Sequence, residues 1–228
     1  MPFTRVVLSL LALMLMQGMA HAAPPRDWTR AVASSPIGGT IMGNPAAPTK
    51  LVEYVSYTCP HCAHFVADAS APLRSGWIRG GKASVEVRNL VRDRYDLTAA
   101  LLARCGGPAR FFGDHEALFA AQQAWVEKIM AYEKTPSTLP DDAPRAAVLA
   151  DIADKTGLLA LMAKRGIAPA RSRQCLADPK AMQAVLAMTK EAIEDVKATG
   201  TPSFVINGTL VDAHNWADLA PLLPAPQK

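Results

Sequence analysis

The sequence predicts an α/β domain whose sheet is interrupted by a long, all-helical insertion, and three observations predict it. First, Thr49 to Ser56 (TKLVEYVS) and Ala83 to Val91 (ASVEVRNLV) read as two buried strands, with a helical stretch between them. Second, from about Leu97 to Ala198 the chain is helical in character. Its Ala- and Leu-rich stretches are broken at Gly106-Gly107-Pro108, Pro136 to Pro140, Gly157, Gly166 and Pro179. Third, Ser203 to Ile206 and Thr209 to Asp212 flank Asn207-Gly208, a strong short hairpin signal, and a short helix over Asn215 to Leu223 follows. The order is strand–helix–strand, a helical block, then strand–strand–helix.

Each element has a local reason. Gly43-Asn44-Pro45 is a turn that delivers the chain into the first strand. At Cys59 the period changes. Pro60 suits the first helical position, because the N–H it lacks would be unpaired there in any case. That helix is expected to run through Phe65, Ala69 and Leu73 towards Trp77 and to stop near Gly80-Gly81. Residues 23–37, rich in Ala, Pro and Ser, read as a flexible N-terminal arm.

The first 22 residues read as an export signal. Arg5 supplies the positive start, Val6 to Met16 the apolar run and Ala20-His21-Ala22 the cleavage motif. An apolar run of ~11 residues is too short for a spanning helix, which needs ~20. Cleavage after about Ala22 would leave a mature, exported chain of roughly 200 residues, which suits one domain or one domain with a large insertion. The hydrophobic fraction of 50% is ample for a core. The net charge of +4 is too mild to imply nucleic acid. The basic run from Arg88 to Arg94 is interleaved with apolar residues and Asp93, and reads as a solvated edge.

The chemistry concentrates in YVSYTCPHCAHFV, Tyr54 to Val66, which sets Cys59 and Cys62 two residues apart. A closed zinc site needs four ligands, usually as two close pairs. Here Cys105 and Cys175 stand singly in the helical block, and adding His64 gives an unusual spacing. No metal is expected. An inert disulfide is possible, but so small a loop restrains the unfolded chain little. Exchange of electrons accounts best for the surroundings. Cys59 falls at a strand-to-helix junction, where unpaired backbone N–H groups and the positive helix end favour a thiolate. His61 is expected to add to that stabilisation, and Cys62, one turn into the helix, to be the buried resolving thiol.

Cys59-Pro60-His61-Cys62 after a strand, a long helical block, and Gly200-Thr201-Pro202-Ser203-Phe204 before the last hairpin together resemble the DsbA family of thiol:disulfide oxidoreductases. The resemblance covers roughly Gly39 to the C-terminus. It implies a thioredoxin-like fold made from residues 38–95 and 199–228, with residues 96–198 as the helical insertion. It also implies that Pro202 is a cis-proline facing the disulfide, with Thr201 and Pro202 binding extended substrate. Glu53, six residues before Cys59, matches a buried glutamate that assists proton transfer at the buried thiol. From the residues alone, Glu53 shares a strand face with Leu51 and Val55. It is either on a solvated edge or buried with a raised pKa.

An exported protein rarely keeps two spare thiols, so Cys105 and Cys175 are expected to form a structural disulfide. His64 reads as an exposed helix residue as readily as a functional one. His115 and His214 read as surface or capping residues. The resemblance implies a periplasmic oxidase with no cofactor beyond its own disulfide, reoxidised by a DsbB-like membrane quinone reductase and acting on folding exported proteins. Thr201 before the proline also occurs in isomerase-type relatives, so an isomerase or reductase is the alternative. Residues 23–37 are too short for an oligomerisation platform, which favours a monomer. A chaperone-like peptide-binding module, with a vestigial cysteine pair, is a third reading.

Overall fold

A computed structural model of the chain describes residues 26–135 and 138–226. The expected export signal, residues 1–22, lies outside the described residues. Among the described residues, six strands form one mixed sheet in the order β1-β2-β4-β3-β5-β6. They are β1 (Val32–Ser34), β2 (Thr40–Gly43), β3 (Thr49–Val55), β4 (Ala83–Asn89), β5 (Ser203–Ile206) and β6 (Thr209–Val211). Only β3 and β4 are parallel, and α1 (Pro60–Leu73) makes the crossover between them, continued by a π-helical turn over Arg74–Ile78. Such a pair needs a connection of this length, because parallel strands cannot be joined by a tight turn. β3 lies near the middle of the sheet, with Leu51, Tyr54 and Val55 each at most 1% exposed.

The expected flexible arm is a correction. Within residues 23–37, Trp28–Arg30 form a 3-10 turn and Val32–Ser34 pair with β2 as an edge strand. Neither β1 nor β2 declares itself in the sequence. Three or four residues hold at most two turns of the two-residue alternation, and Pro36, Gly38 and Gly39 between them mask the hairpin. Gly43 closes β2 at φ +122°, where a Cβ would stand 2.8 Å from the Ser84 backbone on β4. Only glycine fits there.

The insertion is built on α2 (Arg94–Arg104). Asp93 caps it by accepting from the N–H groups of Tyr95 and Asp96, and every residue from Tyr95 to Ala103 is buried. Around it lie α3 (Pro108–Ala120), α4 (Gln122–Lys134), α5 (Arg145–Lys155), α6 (Leu158–Lys164), α7 (Pro169–Leu176) and α8 (Pro179–Glu194). The punctuation read from the sequence falls between helices: Gly107 precedes α3, Gly157 separates α5 from α6, Gly166 ends α6 and Pro179 opens α8. The last helix, α9 (Trp216–Leu219), is shorter than expected and passes into a 3-10 turn over Ala220–Leu222.

Ion pairs help to fasten the insertion to the sheet and to its crossover helix. On α8, Glu191 accepts from Tyr54 Oη (2.6 Å) on β3 and from Arg88 Nη1 (2.6 Å) on β4, while Arg88 also pairs with Glu86 at 2.8 Å. The expected solvated edge at Arg88 to Arg94 therefore needs correcting at its start. Arg88 is half-buried and Asn89 and Leu90 are buried, because α8 covers that end of β4. On the other side, Glu116 of α3 pairs with Arg74 just beyond α1 at 2.5 Å. Among the described residues, no helix is long and apolar enough to cross a membrane.

Cys105, at the end of α2, is bonded to Cys175 in α7, with Cα atoms 5.6 Å apart and a sequence separation of 70. Closing a loop of that length restricts the unfolded chain. The double variant Cys105→Ala/Cys175→Ala should therefore lose about 4 kcal/mol of stability in the chain-entropy model. Urea denaturation measures it, and a loss near zero would leave the bridge without a stabilising role.

Candidate redox-active site

The chain leaves β3 at Val55, turns through Ser56–Thr58 and enters α1 at Cys59. Cys59 occupies the N-cap with extended backbone (φ −89°, ψ 118°), Pro60 is the first helical residue, and no side chain caps the helix. The first N–H groups of α1 are therefore left to the Cys59 sulfur. Cys59 retains 3% of its surface and Cys62 none, so only the first can be reached from outside. Both are free thiols here.

The two thiols are driven apart in acidity. The Cys59 pKa is lowered to about 5: a hydrogen bond from the Cys62 thiol acts most strongly, and the Thr201 side chain and the N–H groups of Cys62 and His61 add to it. Together they outweigh burial, which acts the other way. The Cys62 pKa is raised well above its ordinary value, first by burial and then by the hydrogen bond and the negative charge of Cys59. His61 thus reaches the sulfur through its peptide N–H. Its imidazole is exposed and lines the neighbouring groove.

Opposite the cysteines, the loop before β5 carries Thr201-Pro202 as a cis peptide, and Cys59 Sγ lies 3.1 Å from the Thr201 carbonyl oxygen. An open groove of about 400 Å³ continues from there, lined by His61, Thr199 to Ser203, His214 and Asn215. A larger cavity, about 540 Å³, lies away from the thiols between α4 and α5 and holds no cysteine.

Glu53 lies on β3 between Val87 and Phe204, 4% exposed, with its Oε1 atom unpartnered. Of the two environments open to it in the sequence, it has the buried one. Burial raises its pKa to about 8, and its charge is among the influences on Cys62. A cavity of about 30 Å³, wide enough for a water, adjoins it.

The other histidines divide. His64 and His214 are exposed, and His214 Nε2 lies 3.2 Å from Asp212. His115 is a correction: it is buried, stacks beside Phe111 and meets Tyr57 Oη at 2.9 Å. Burial lowers its pKa to about 3, so it is neutral. The histidine faces inward because α3 turns Phe111, Phe112, Leu118 and Phe119 into the core around it.

Several residues that hold the site gave no clear sign in the sequence. Asp96 accepts from the N–H groups of Tyr57 (2.7 Å) and Arg92 (3.0 Å), and burial raises its pKa to about 7. Arg92 in turn reaches Ser56 Oγ (2.9 Å) and Thr58 Oγ1 (3.0 Å). A lone acid in the apolar stretch YDLTAALLA was the available signal for Asp96. Gln122 had none.

A cysteine at the N-cap position of a helix, paired with a second one turn later and facing a cis-proline loop beside a mixed sheet, defines a dithiol protein of thioredoxin fold. The chain belongs to the thioredoxin family, whose model matches residues 35–225. Among solved structures, it is similar to a protein-disulfide isomerase from Novosphingobium aromaticivorans. The two are 36% identical, with a TM-score of 0.72 over 80% of this chain and 93% of that one. It shares the fold of Wolbachia pipientis α-DsbA1 at 22% identity, with a TM-score of 0.64 over 81% of this chain and 88% of that one. A Rickettsia typhi relative named "Putative protein-disulfide oxidoreductase" is 32% identical over 78% of this chain and 57% of its own length. The chain spans a little over half the length of the curated relatives it matches.

Glu53 takes up a proton on folding, since its pKa rises from 4.5 to about 8. Between those values the folded chain holds a proton that the unfolded chain has lost, so this group's contribution to stability falls as pH rises. The variant Glu53→Gln should therefore gain stability over the parent progressively from pH about 4.5 to about 8, and no further above. Denaturation of the reduced protein across that range checks it. A difference that does not vary with pH would count against a proton held at Glu53.

Proposed function

We propose that the chain is a protein thiol:disulfide oxidoreductase that donates the Cys59–Cys62 disulfide to exported proteins as they fold. The observation that carries this is the split between the two sulfurs, Cys59 held near a pKa of about 5 and Cys62 pushed up. A substrate thiolate attacks Cys59 Sγ, the Cys59–Cys62 bond breaks, and the Cys62 sulfur leaves with the electron pair. Because Cys62 holds its proton strongly, it takes one up, and the neutral carboxyl of Glu53 is the nearby donor. The substrate's second thiolate then attacks the substrate sulfur of the mixed disulfide and expels Cys59. Two electrons have passed from the substrate dithiol to the protein. Cys59 departs readily because it is a stabilised anion, and stabilising the reduced form makes the disulfide more oxidising, by ~30 mV for each 1.4 kcal/mol.

Thr201, Pro202 and the groove beside them would receive an extended substrate segment through backbone hydrogen bonds, which make no demand on sequence. The reading includes a periplasmic location, a monomer, no cofactor beyond the disulfide, and reoxidation by a DsbB-like membrane quinone reductase. A second reading, isomerase or reductase, is favoured by Thr201 before the proline and by the likeness to the Novosphingobium protein-disulfide isomerase. Scrambled ribonuclease separates the two. An oxidase forms disulfides in reduced peptide quickly and rescues the scrambled enzyme poorly. Efficient rescue by a stable dimer or trimer would favour isomerisation.

Titration of the ultraviolet thiolate absorbance of the reduced protein should show a transition near pH 5. A transition near that of free cysteine, about 8.5, would overturn the oxidant reading. The same shift has a sign in stability. Between about 5 and about 8.5 the unfolded thiol binds a proton that the folded one does not. The stability of the reduced form relative to the oxidised form should therefore rise with pH through that window.

A further inference from the structure

The turn that presents Cys59 is gripped from the insertion chiefly at Tyr57. Three helices of the insertion hold Tyr57. Asp96 of α2 accepts its N–H at 2.7 Å, Gln122 of α4 donates to its carbonyl at 2.8 Å, and His115 of α3 meets its hydroxyl at 2.9 Å. Its ring also stacks on Phe119 at 4.8 Å. The Gln122 amide does one thing more. It donates to the carbonyl of Cys59 itself, again at 2.8 Å.

That second bond stands where few others can. The two peptide planes flanking the Cys59 Cα fix its φ and ψ, and with them the direction of the Cα–Cβ bond that carries the sulfur. On one side the Cys59 N–H donates to Ser56 O at 3.1 Å. On the other side the plane ends in Pro60, which has no N–H, so only the Cys59 carbonyl can hold it. That carbonyl receives the first helical bond of α1, from Ala63 N at a long 3.3 Å, and the shorter bond from Gln122. Gln122 is 7% exposed. A buried amide costs free energy unless it is paired, and the partners of this one are two backbone oxygens of the nucleophile's own turn.

We propose that Gln122 is a positioning residue for exchange at Cys59: its amide locks the Cys59–Pro60 peptide, and so aims the sulfur at the N–H groups of α1 and at Thr201. Through it the insertion sets the reactivity of the thiol and does more than cover the sheet. Without the two donors the Cys59–Pro60 plane can rock, the sulfur drifts from the N–H groups of His61 and Cys62, and the thiolate loses part of its stabilisation. The loss of two N–H groups pointing at this turn acts in the same direction. The inference rests on thiol–disulfide exchange at Cys59 and not on the direction of that exchange.

The test compares Gln122→Met, which keeps the side chain's length and removes both donors, with Trp125→Phe on the same helix. Trp125 is buried and donates to Leu118 O without touching the turn. In reduced full-length protein, Q122M should raise the Cys59 pKa by about one unit, a tenfold loss of thiolate preference. The equilibrium with glutathione should shift towards the disulfide form in step. W125F should lower the melting temperature while leaving the pKa unmoved. An unchanged pKa in Q122M, or an equal shift in W125F, would overturn the proposal. Should Q122M not fold, Gln122→Asn carries the same reading, since its amide falls one methylene short of both carbonyls. A parent protein whose Cys59 titrates like a free cysteine would defeat the proposed oxidase instead, so the two failures are distinguishable.

Discussion

Everything at the site depends on a helix that starts without a cap. The first N–H groups of a helix have no partner within it, and a serine, threonine, aspartate or asparagine side chain usually accepts from them. In α1 that position belongs to Cys59, followed by Pro60, and no side-chain oxygen takes the bonds. That unmet demand for a hydrogen-bond acceptor helps to hold a sulfur anion there, beside the hydrogen bond from the Cys62 thiol, which acts most strongly. It also explains why the second thiol behaves oppositely. Cys62 lies one turn in, where its own N–H is directed at Cys59 and its sulfur is enclosed by the core. Two chemically identical side chains come to differ because one sits before the helix and the other inside it.

That arrangement needs a rigid floor, and the sheet provides it. β3 is flanked by β4 on one side and β5 on the other, so the strand that delivers the cysteines is paired along both edges. The same burial imposes a cost at Glu53, whose carboxyl has no partner for Oε1 and remains largely neutral. A carboxyl in so apolar a place adds little to stability, since an apolar residue would pack at least as well.

Much of this was legible in the sequence because local chemistry determines it. The strand-to-helix switch at Cys59, the Asn207-Gly208 hairpin and the glycine and proline breaks of the insertion are short-range signals, and they fall where the elements divide. Asn207 and Gly208, for example, have φ of +49° and +85°, as a tight hairpin requires. What could not be read is what depends on distant neighbours. The strands β1 and β2 exist because β4 offers an edge, and their own residues say little. His115 looks like any histidine until α3 is packed, and Gln122 has no pattern around it. Asp96 and Arg88 were similarly ambiguous: a charge in a sequence does not disclose whether a backbone N–H or a glutamate from another helix will meet it.

The parts of the site are far apart along the chain: the cysteines near residue 60, their supports at Asp96 and Gln122, and Thr201 only near the end. During synthesis from the N-terminus, the loop that faces Cys59 and the hairpin beside β3 emerge after the cysteines and their supports. Until they dock, the sulfur lacks the Thr201 contact, and β3 has an open edge where β5 will lie. A chain that has not reached them therefore presents the cysteine motif beside a strand unpaired along one edge. The strand that delivers the cysteines thus gains its second neighbour late, and closing its free edge and forming the groove beside Cys59 are a single docking event.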